Sequence, residues 1–131
     1  MISSGAATNA YSGWSAYSAS KAAINSLAQS LAVEETEITS LAIRPGVVDT
    51  EMQNDIRSKR TYARGVTNVD GDVMGHSHEK FVQLKEEGKL LSPDTVGKAI
   101  AGMAVCENEK IHEFSGKFVN WDDNSLSEIL V

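Results

Sequence analysis

The chain has 131 residues, a formal net charge of −6 and a hydrophobic content of 41%. This acidic balance disfavours nucleic-acid backbones and anionic membranes as partners, and no apolar run is long enough to span a bilayer. The single cysteine, Cys106, excludes an internal disulfide framework and indicates a reducing compartment. We therefore expect a cytoplasmic protein in which Cys106 is a small buried residue rather than a reactive thiol.

Strands and helices are predicted to alternate in the first part of the chain, which is typical of α/β proteins. Residues 1–4 predict the stub of a strand. Residues 15–35 carry apolar side chains at helical spacing and predict a long helix. Its many small and apolar residues favour burial on two sides. Residues 38–43 form a β-rich run that Pro45 and Gly46 end, which predicts a buried parallel strand.

The second part of the chain is helical in pattern apart from one more strand. The predicted elements are a helix over 51–59, a helix over 79–87, a helix from 93 to about 106 with Ser92 as its N-cap, a strand over 116–121 and a helix over 125–130. Residues 51–78 are the least regular stretch. No internal repeat or low-complexity linker interrupts the pattern, so we predict a single domain over 1–131.

The most informative pattern is the pair formed by Tyr17 and Lys21, which lie one helical turn apart at the start of the long helix. A tyrosine phenol ordinarily titrates near pH ~10, and a lysine ammonium one turn away favours its phenolate form. Ser4 adds a hydroxyl upstream of the pair. The three residues together predict a proton-transfer site for a substrate oxygen.

Three motifs in this order resemble the short-chain dehydrogenase/reductase family. They are Ser-Ser-Gly-Ala-Ala from Ser3, Tyr-Ser-Ala-Ser-Lys-Ala-Ala from Tyr17 and Ile-Arg-Pro-Gly-Val-Val-Asp-Thr-Glu-Met up to Met52. Ser-Gly-Lys-Phe from Ser115 resembles the last strand of the same fold. The resemblance implies a doubly wound parallel sheet of Rossmann type and an oxidoreductase that uses NAD(P)(H).

The family resemblance also implies a role for each matching catalytic residue. Ser4 would hydrogen-bond the substrate oxygen, with Ser3 as the alternative serine. Tyr17 would exchange a proton with that oxygen as hydride is transferred. Lys21 would favour the phenolate and hydrogen-bond the nicotinamide ribose, so that both Tyr17 and Lys21 also count as cofactor-binding residues.

Four further residues are implied to hold the cofactor. Pro45 and Gly46 match a turn beside the nicotinamide, where close backbone approach favours glycine. Val48, through its backbone, and Thr50, through its hydroxyl, match the positions that hold the carboxamide. The overall look of the chain is nearest to fungal sepiapterin- and benzil-reductase-like members. This implies NADP as cofactor, with NAD possible, and a small carbonyl, dicarbonyl or alcohol as substrate.

The chain departs from the family pattern in one large respect. No glycine-rich strand–turn–helix for the cofactor pyrophosphate occurs in it. We therefore expect the C-terminal, catalytic part of the Rossmann-type domain, without the N-terminal strands. We also expect a homo-oligomer that forms through the 15–35 helix. The alternative is a catalytically silent fragment whose long helix pairs with a full-length homologue in a mixed oligomer.

Other polar residues have less specific interpretations. The family resemblance places a substrate-covering lid in the irregular stretch, whose cations either contact an anionic substrate or cofactor phosphate or form a solvated face. These cations are Arg57, Lys59, Arg60 and Arg64. His76 and His78 lack a third ligand at metal-site spacing, so we expect a polar loop and no metal site. Trp14 is expected either to line the substrate pocket or to anchor the core.

Overall fold

The structure, a computed structural model, describes residues 1–11, 13–58 and 75–130, with residues 75–78 described by their backbone alone. The helices and strands are α1 (Ser15–Glu34), β1 (Ala42–Arg44), α2 (Glu51–Ser58), α3 (Gly75–Glu86), α4 (Pro93–Ala104), β2 (Phe118–Asn120) and α5 (Asn124–Ser127). Two 3-10 turns lie at Gly5–Ala7 and Glu109–Phe114. Among the described helices, none combines the length and the hydropathy that crossing a membrane requires.

The sheet is parallel and has β1 at its centre. On one side β1 pairs in parallel with β2, and Ile43 lies opposite Val119. On the other side Ile2 forms a parallel bridge to Ile43. The Ser3 N–H donates to the Ile43 carbonyl at 2.8 Å, and the Ile43 N–H donates to the Met1 carbonyl at 2.9 Å. The predicted strand stub and parallel sheet are therefore confirmed.

Helix α1 packs on the sheet side through its small residues. Ala28 is fully buried, and a Cβ added at Gly116 would lie 3.1 Å from the Ala32 Cβ. Gly116 also has a φ of +78°, a conformation that favours glycine. The expected burial on two sides is wrong for the chain by itself, because Leu27 is 51% exposed and Val33 is 80% exposed.

The core lies between the sheet and the C-terminal helices. It is formed by Leu41, Ile43, Met103, Ile111, Val119 and Leu126. Cys106 packs against this cluster and its Sγ lies 3.7 Å from the Ile129 carbonyl oxygen. Cys106 is half-buried rather than fully buried, and it lies just beyond α4.

Several element bounds differ from those predicted. The strand predicted over 38–43 begins only at Ala42, because the Ile38 N–H closes a turn onto Glu35 and the Ser40 N–H donates to the Ser115 hydroxyl. Helix α3 begins at Gly75, so the polar loop predicted at His76 and His78 is wrong for their backbone. The last helix is limited to Asn124–Ser127. Lys59, Arg60 and Arg64 lie outside the described residues.

Candidate active site

A cleft of about 460 Å³ lies beside the end of β1. In parallel α/β sheets, ligands bind beyond the carboxyl ends of the strands. All the site residues predicted from the sequence line this cleft, namely Ser4, Tyr17, Lys21, Pro45, Gly46, Val48 and Thr50. Residues far apart in the chain are therefore brought to one cavity.

The two neighbouring serines have different surroundings. Ser3 is 1% exposed, and its hydroxyl donates to Asn25 Oδ1 on α1 at 2.6 Å. The Ser4 hydroxyl accepts the Ala6 N–H at 3.2 Å and caps the 3-10 turn. Among the described residues, no acceptor is found for the Ser4 proton. Ser4 is therefore the serine whose hydroxyl can still donate to a ligand.

Tyr17 and Lys21 lie next to each other on α1. The Lys21 ammonium is 5.6 Å from the centre of the Tyr17 ring, and it donates to the Ile2 carbonyl at 3.0 Å. The Tyr17 hydroxyl has no hydrogen-bond partner among the described residues, and its ring lines the cleft. An ammonium has three N–H groups, so Lys21 can bond Ile2 and a ligand at the same time.

The turn after β1 is held by Leu91. The Leu91 N–H donates to the Val47 carbonyl and the Asp49 N–H donates to the Leu91 carbonyl, both at 2.9 Å. Gly46 has a φ of +75°, and an added Cβ would lie 2.6 Å from the Leu91 side chain. Glycine is therefore favoured at position 46 both by the positive φ and by the close approach of the Leu91 side chain. The Val48 N–H has no acceptor among the described residues.

Trp14 is the centre of an aromatic wall on the cleft. Its ring meets Tyr17 edge-on at 5.3 Å and stacks on Phe81 of α3 at 5.8 Å between centroids. Tyr11 lies 6.0 Å away on another side. Trp14 lines the cavity and packs the start of α1 against α3.

An ion-pair cluster ties two helices to the turn after β1. Asp49 accepts a hydrogen bond from Lys85 of α3 at 2.6 Å, and Arg57 of α2 lies 3.6 Å from its other oxygen. The hydrogen bond from Lys85, with the positive charges of Lys85 and Arg57, lowers the pKa of Asp49 below its ordinary value. Arg57 also donates to Asn54 at 2.5 Å. It is therefore engaged with its own neighbours.

Sequence reasoning missed three residues at this site. Asn25 anchors Ser3, Phe81 stacks on Trp14, and Arg44 lines the cleft beside Gly5. Arg44 lies inside a motif that was singled out, but its residue type carried no assigned role. Within the part of the chain that the structure describes, no group of three or more His, Cys, Asp or Glu side chains could hold a metal ion.

Comparisons with known proteins identify the family. Residues 1–61 match the family model described as short chain dehydrogenase. The chain is 42% identical over 121 residues to an uncharacterized oxidoreductase of Schizosaccharomyces pombe, covering 92% of this chain and 44% of the relative. The chain belongs to the short-chain dehydrogenase/reductase family.

Two further relatives of this short-chain dehydrogenase/reductase agree. A benzil reductase ((S)-benzoin forming) of Bacillus cereus is 46% identical over 110 residues, which are 81% of this chain and 40% of that protein. The crystal structure of a short-chain dehydrogenase/reductase from Saccharomyces cerevisiae matches with a TM-score of 0.72 and 30% identity, over 98% of this chain and 47% of that one. The predicted fold class is thereby confirmed. The chain spans about half the length of the relatives that it matches.

Proposed function

We propose that the chain carries the catalytic site of a carbonyl reductase or alcohol dehydrogenase that uses NAD(P)(H). The observation that carries this proposal is the meeting of Ser4, Tyr17 and Lys21 at one cleft beside the turn from Pro45 to Thr50. Within the described residues, neither the Ser4 hydroxyl nor the Tyr17 hydroxyl donates a hydrogen bond. Both can therefore donate one to a ligand. Family membership supports the same reaction class.

Proton transfer at the substrate oxygen is assigned to Tyr17. In the reductive direction its hydroxyl gives a proton to the carbonyl oxygen, and in the oxidative direction the phenolate takes it back. Ser4 donates a hydrogen bond to the same oxygen and orients it. The Lys21 ammonium lies 5.6 Å from the centre of the Tyr17 ring and places a positive charge next to the proton-transfer site. Trp14 and Phe81 form an apolar wall that keeps water from this part of the cleft.

The residues around the turn fit the nicotinamide end of a dinucleotide. The Val48 N–H has no acceptor within the described chain and suits a carboxamide oxygen. Thr50 lines the cleft with a hydroxyl that makes only a long bond of 3.4 Å to the Val48 carbonyl. Lys21 would donate to the ribose hydroxyls. When bound, the reduced nicotinamide supplies hydride to the carbonyl carbon.

The proposed cofactor is NADPH, with NADH as the alternative, and the proposed substrate is a small carbonyl or dicarbonyl compound. The relative from Bacillus cereus whose name specifies benzil reduction supports a dicarbonyl. The mixed apolar and cationic lining of the cleft supports a compact, partly aromatic molecule. We propose that residues 1–131 form the catalytic part of a single NAD(P)-binding domain of Rossmann type.

A calorimetric titration of the chain with NADPH and then NADH tests the cofactor assignment. We expect saturable binding that is weakened by Lys21→Ala and unchanged by Lys98→Ala, because Lys98 is exposed on α4 and does not line the cleft. No binding by a folded sample would contradict the proposal for this chain. It would favour the alternative of a silent association module.

We also propose that the exposed face of α1 joins two copies of the chain. The exposed positions of α1 include Ala16, Ala19, Ala23, Leu27 and Val33. Small side chains let two helices approach closely, and the apolar area of Leu27 and Val33 supplies a favourable contact. A second copy packed on this face would bury the side of α1 that is exposed in the single chain.

A further inference from the structure

The charge of the cleft is opposite to that of the chain. The chain has a net charge of −6, yet Lys21, Arg44 and Lys80 line the cleft and none of the described lining residues is Asp or Glu. Lys21 is engaged with Ile2 and with the Tyr17 ring. Arg44 and Lys80 have no hydrogen-bond or ion-pair partner among the described residues. The cleft therefore presents two cations without a counter-charge.

The Arg44 side chain can lie beside Ser4 because the next residue, Gly5, has no side chain. A Cβ added at Gly5 would lie 3.0 Å from Arg44 Nε and 3.2 Å from its Cζ. Gly5 does not have a positive φ. Glycine is therefore favoured there by the close approach of the Arg44 side chain and not by the backbone conformation. The guanidinium thus lies across the backbone of Gly5, directly after Ser4.

We propose that Arg44 recognises a carboxylate on the substrate, with Lys80 as a second cation, so that the preferred substrates are oxo acids. Because Arg44 lies against the residue after Ser4, the carboxylate is close to the carbonyl that Ser4 orients. A guanidinium binds a carboxylate through two parallel hydrogen bonds and orients it as well as attracting it. This inference rests on the proposed function and names its substrate class.

Of the four cations that the sequence suggested for an anionic ligand, only Arg57 lies within the described residues. Arg57 contacts Asp49 and donates to Asn54. Its charge is therefore balanced within the protein, whereas Arg44 has no ion-pair partner in the described part of the chain. A cofactor phosphate is the other anion that could pair with Arg44. The experiment distinguishes a substrate carboxylate from a cofactor phosphate.

The test compares benzoylformate with its ethyl ester, which differ by one negative charge. Binding of each compound to the chain is followed by quenching of tryptophan fluorescence, since Trp14 lines the cleft. We expect the acid to bind about tenfold more tightly than the ester at low salt, as for a charge-assisted hydrogen bond at a partly exposed site. Added salt should weaken binding of the acid and leave the ester unaffected.

Three variants complete the design. Arg44→Met, and Gly5→Ala, which displaces the guanidinium, should each bring the acid-to-ester preference close to one. Lys98→Met removes a charge outside the cleft and should keep the wild-type preference. Equal binding of acid and ester by the wild type, or a preference retained in Arg44→Met, would overturn the inference. Weaker NADPH binding in Arg44→Met with an unchanged acid preference would also overturn it, because the anion would then be the cofactor phosphate.

Because this binding assay needs no turnover, the two proposals can fail separately. A retained acid preference in a chain that reduces no carbonyl would contradict the proposed function and support the inference. Turnover of the ester without any preference for the acid would contradict the inference alone.

Discussion

The Ser3 hydroxyl donates to Asn25 Oδ1 at 2.6 Å, and this bond ties the strand stub to α1. The adjacent Ser4 hydroxyl instead lines the cleft, and within the described part of the chain its one hydrogen bond is accepted from a backbone N–H. The sequence alone does not distinguish the two neighbouring serines. Asn25, one helical turn after Lys21, binds Ser3 and leaves the Ser4 hydroxyl available to a ligand.

Alanine at each serine should separate these tasks. Ser3→Ala leaves Asn25 without its partner and should lower the free energy of unfolding by about 1–3 kcal/mol, with turnover retained. Ser4→Ala should lower kcat about 100- to 1,000-fold, as expected for loss of a donor to the reacting oxygen, and should cost less stability than Ser3→Ala, because it removes only the cap of a three-residue turn. Chemical denaturation and steady-state kinetics on both variants measure the two effects. The reverse pattern would move the catalytic assignment to Ser3.

Lys21→Ala should reduce both cofactor affinity and kcat, because one ammonium serves the ribose and the phenolate. The measurement is the dissociation constant of NADPH beside kcat at saturating cofactor. Lys98→Ala is the matched control. An unchanged dissociation constant in Lys21→Ala would argue against its role at the ribose, even if kcat fell.

Much of the fold could be predicted from local pattern. Apolar spacing gave α1 to within one residue at its end, and Ser92-Pro93 gave the start of α4. The start of β1 could not be predicted, since it depends on the Ser115 hydroxyl, which is distant in sequence and takes the Ser40 N–H. The two-sided burial expected for α1 is not found in the single chain, where Leu27 and Val33 are exposed.

Asp49 should make stability depend on pH in the acid range. Its pKa is lowered below 3.8, chiefly by the hydrogen bond from Lys85. The stabilisation is therefore complete above the unfolded value of 3.8 and is lost as pH falls through the folded one. Asp49→Asn should lower the thermal midpoint at neutral pH. The difference in thermal midpoint between variant and wild type should become smaller as the pH falls below 3.8.

Glu87→Gln is the control for this effect. The pKa of Glu87 is also lowered, by hydrogen bonds from Lys89 and Gln83, but these partners lie nearby on the same segment and do not join two helices to the turn. Lys85→Met should reproduce the effect of Asp49→Asn and add little to it in the double variant. Additive effects of the two substitutions would show that this pair does not act as a unit.

Two exposed valines provide a matched test of association. Val33 is 80% exposed on α1, and Val105 is 76% exposed just beyond α4. Val33→Glu should shift the chain towards the monomer in light scattering, because a charge would be placed in the helix contact. Val105→Glu should leave the oligomeric state unchanged. A wild-type chain that is monomeric at all concentrations would refute the contact.

The candidate site could be predicted as far as its motifs reach. Tyr17 and Lys21 are one turn apart whatever the tertiary fold, so helical periodicity alone places them together. The approach of Arg44 to Gly5 and of Phe81 to Trp14 depends on how β1 and α3 pack against distant segments. No local pattern records those distances, so neither contact could be predicted from the sequence.

The most direct test of the account is the rate of NADPH oxidation with a dicarbonyl such as benzil, measured for the chain and for Tyr17→Phe. The substitution removes only a hydroxyl that has no partner among the described residues, so the fold should be retained, and both rates are measured at saturating NADPH. We predict dicarbonyl-dependent oxidation by the wild type and a rate about 100- to 10,000-fold lower in the variant. Equal rates in the two proteins would contradict the assignment of Tyr17 as the proton donor.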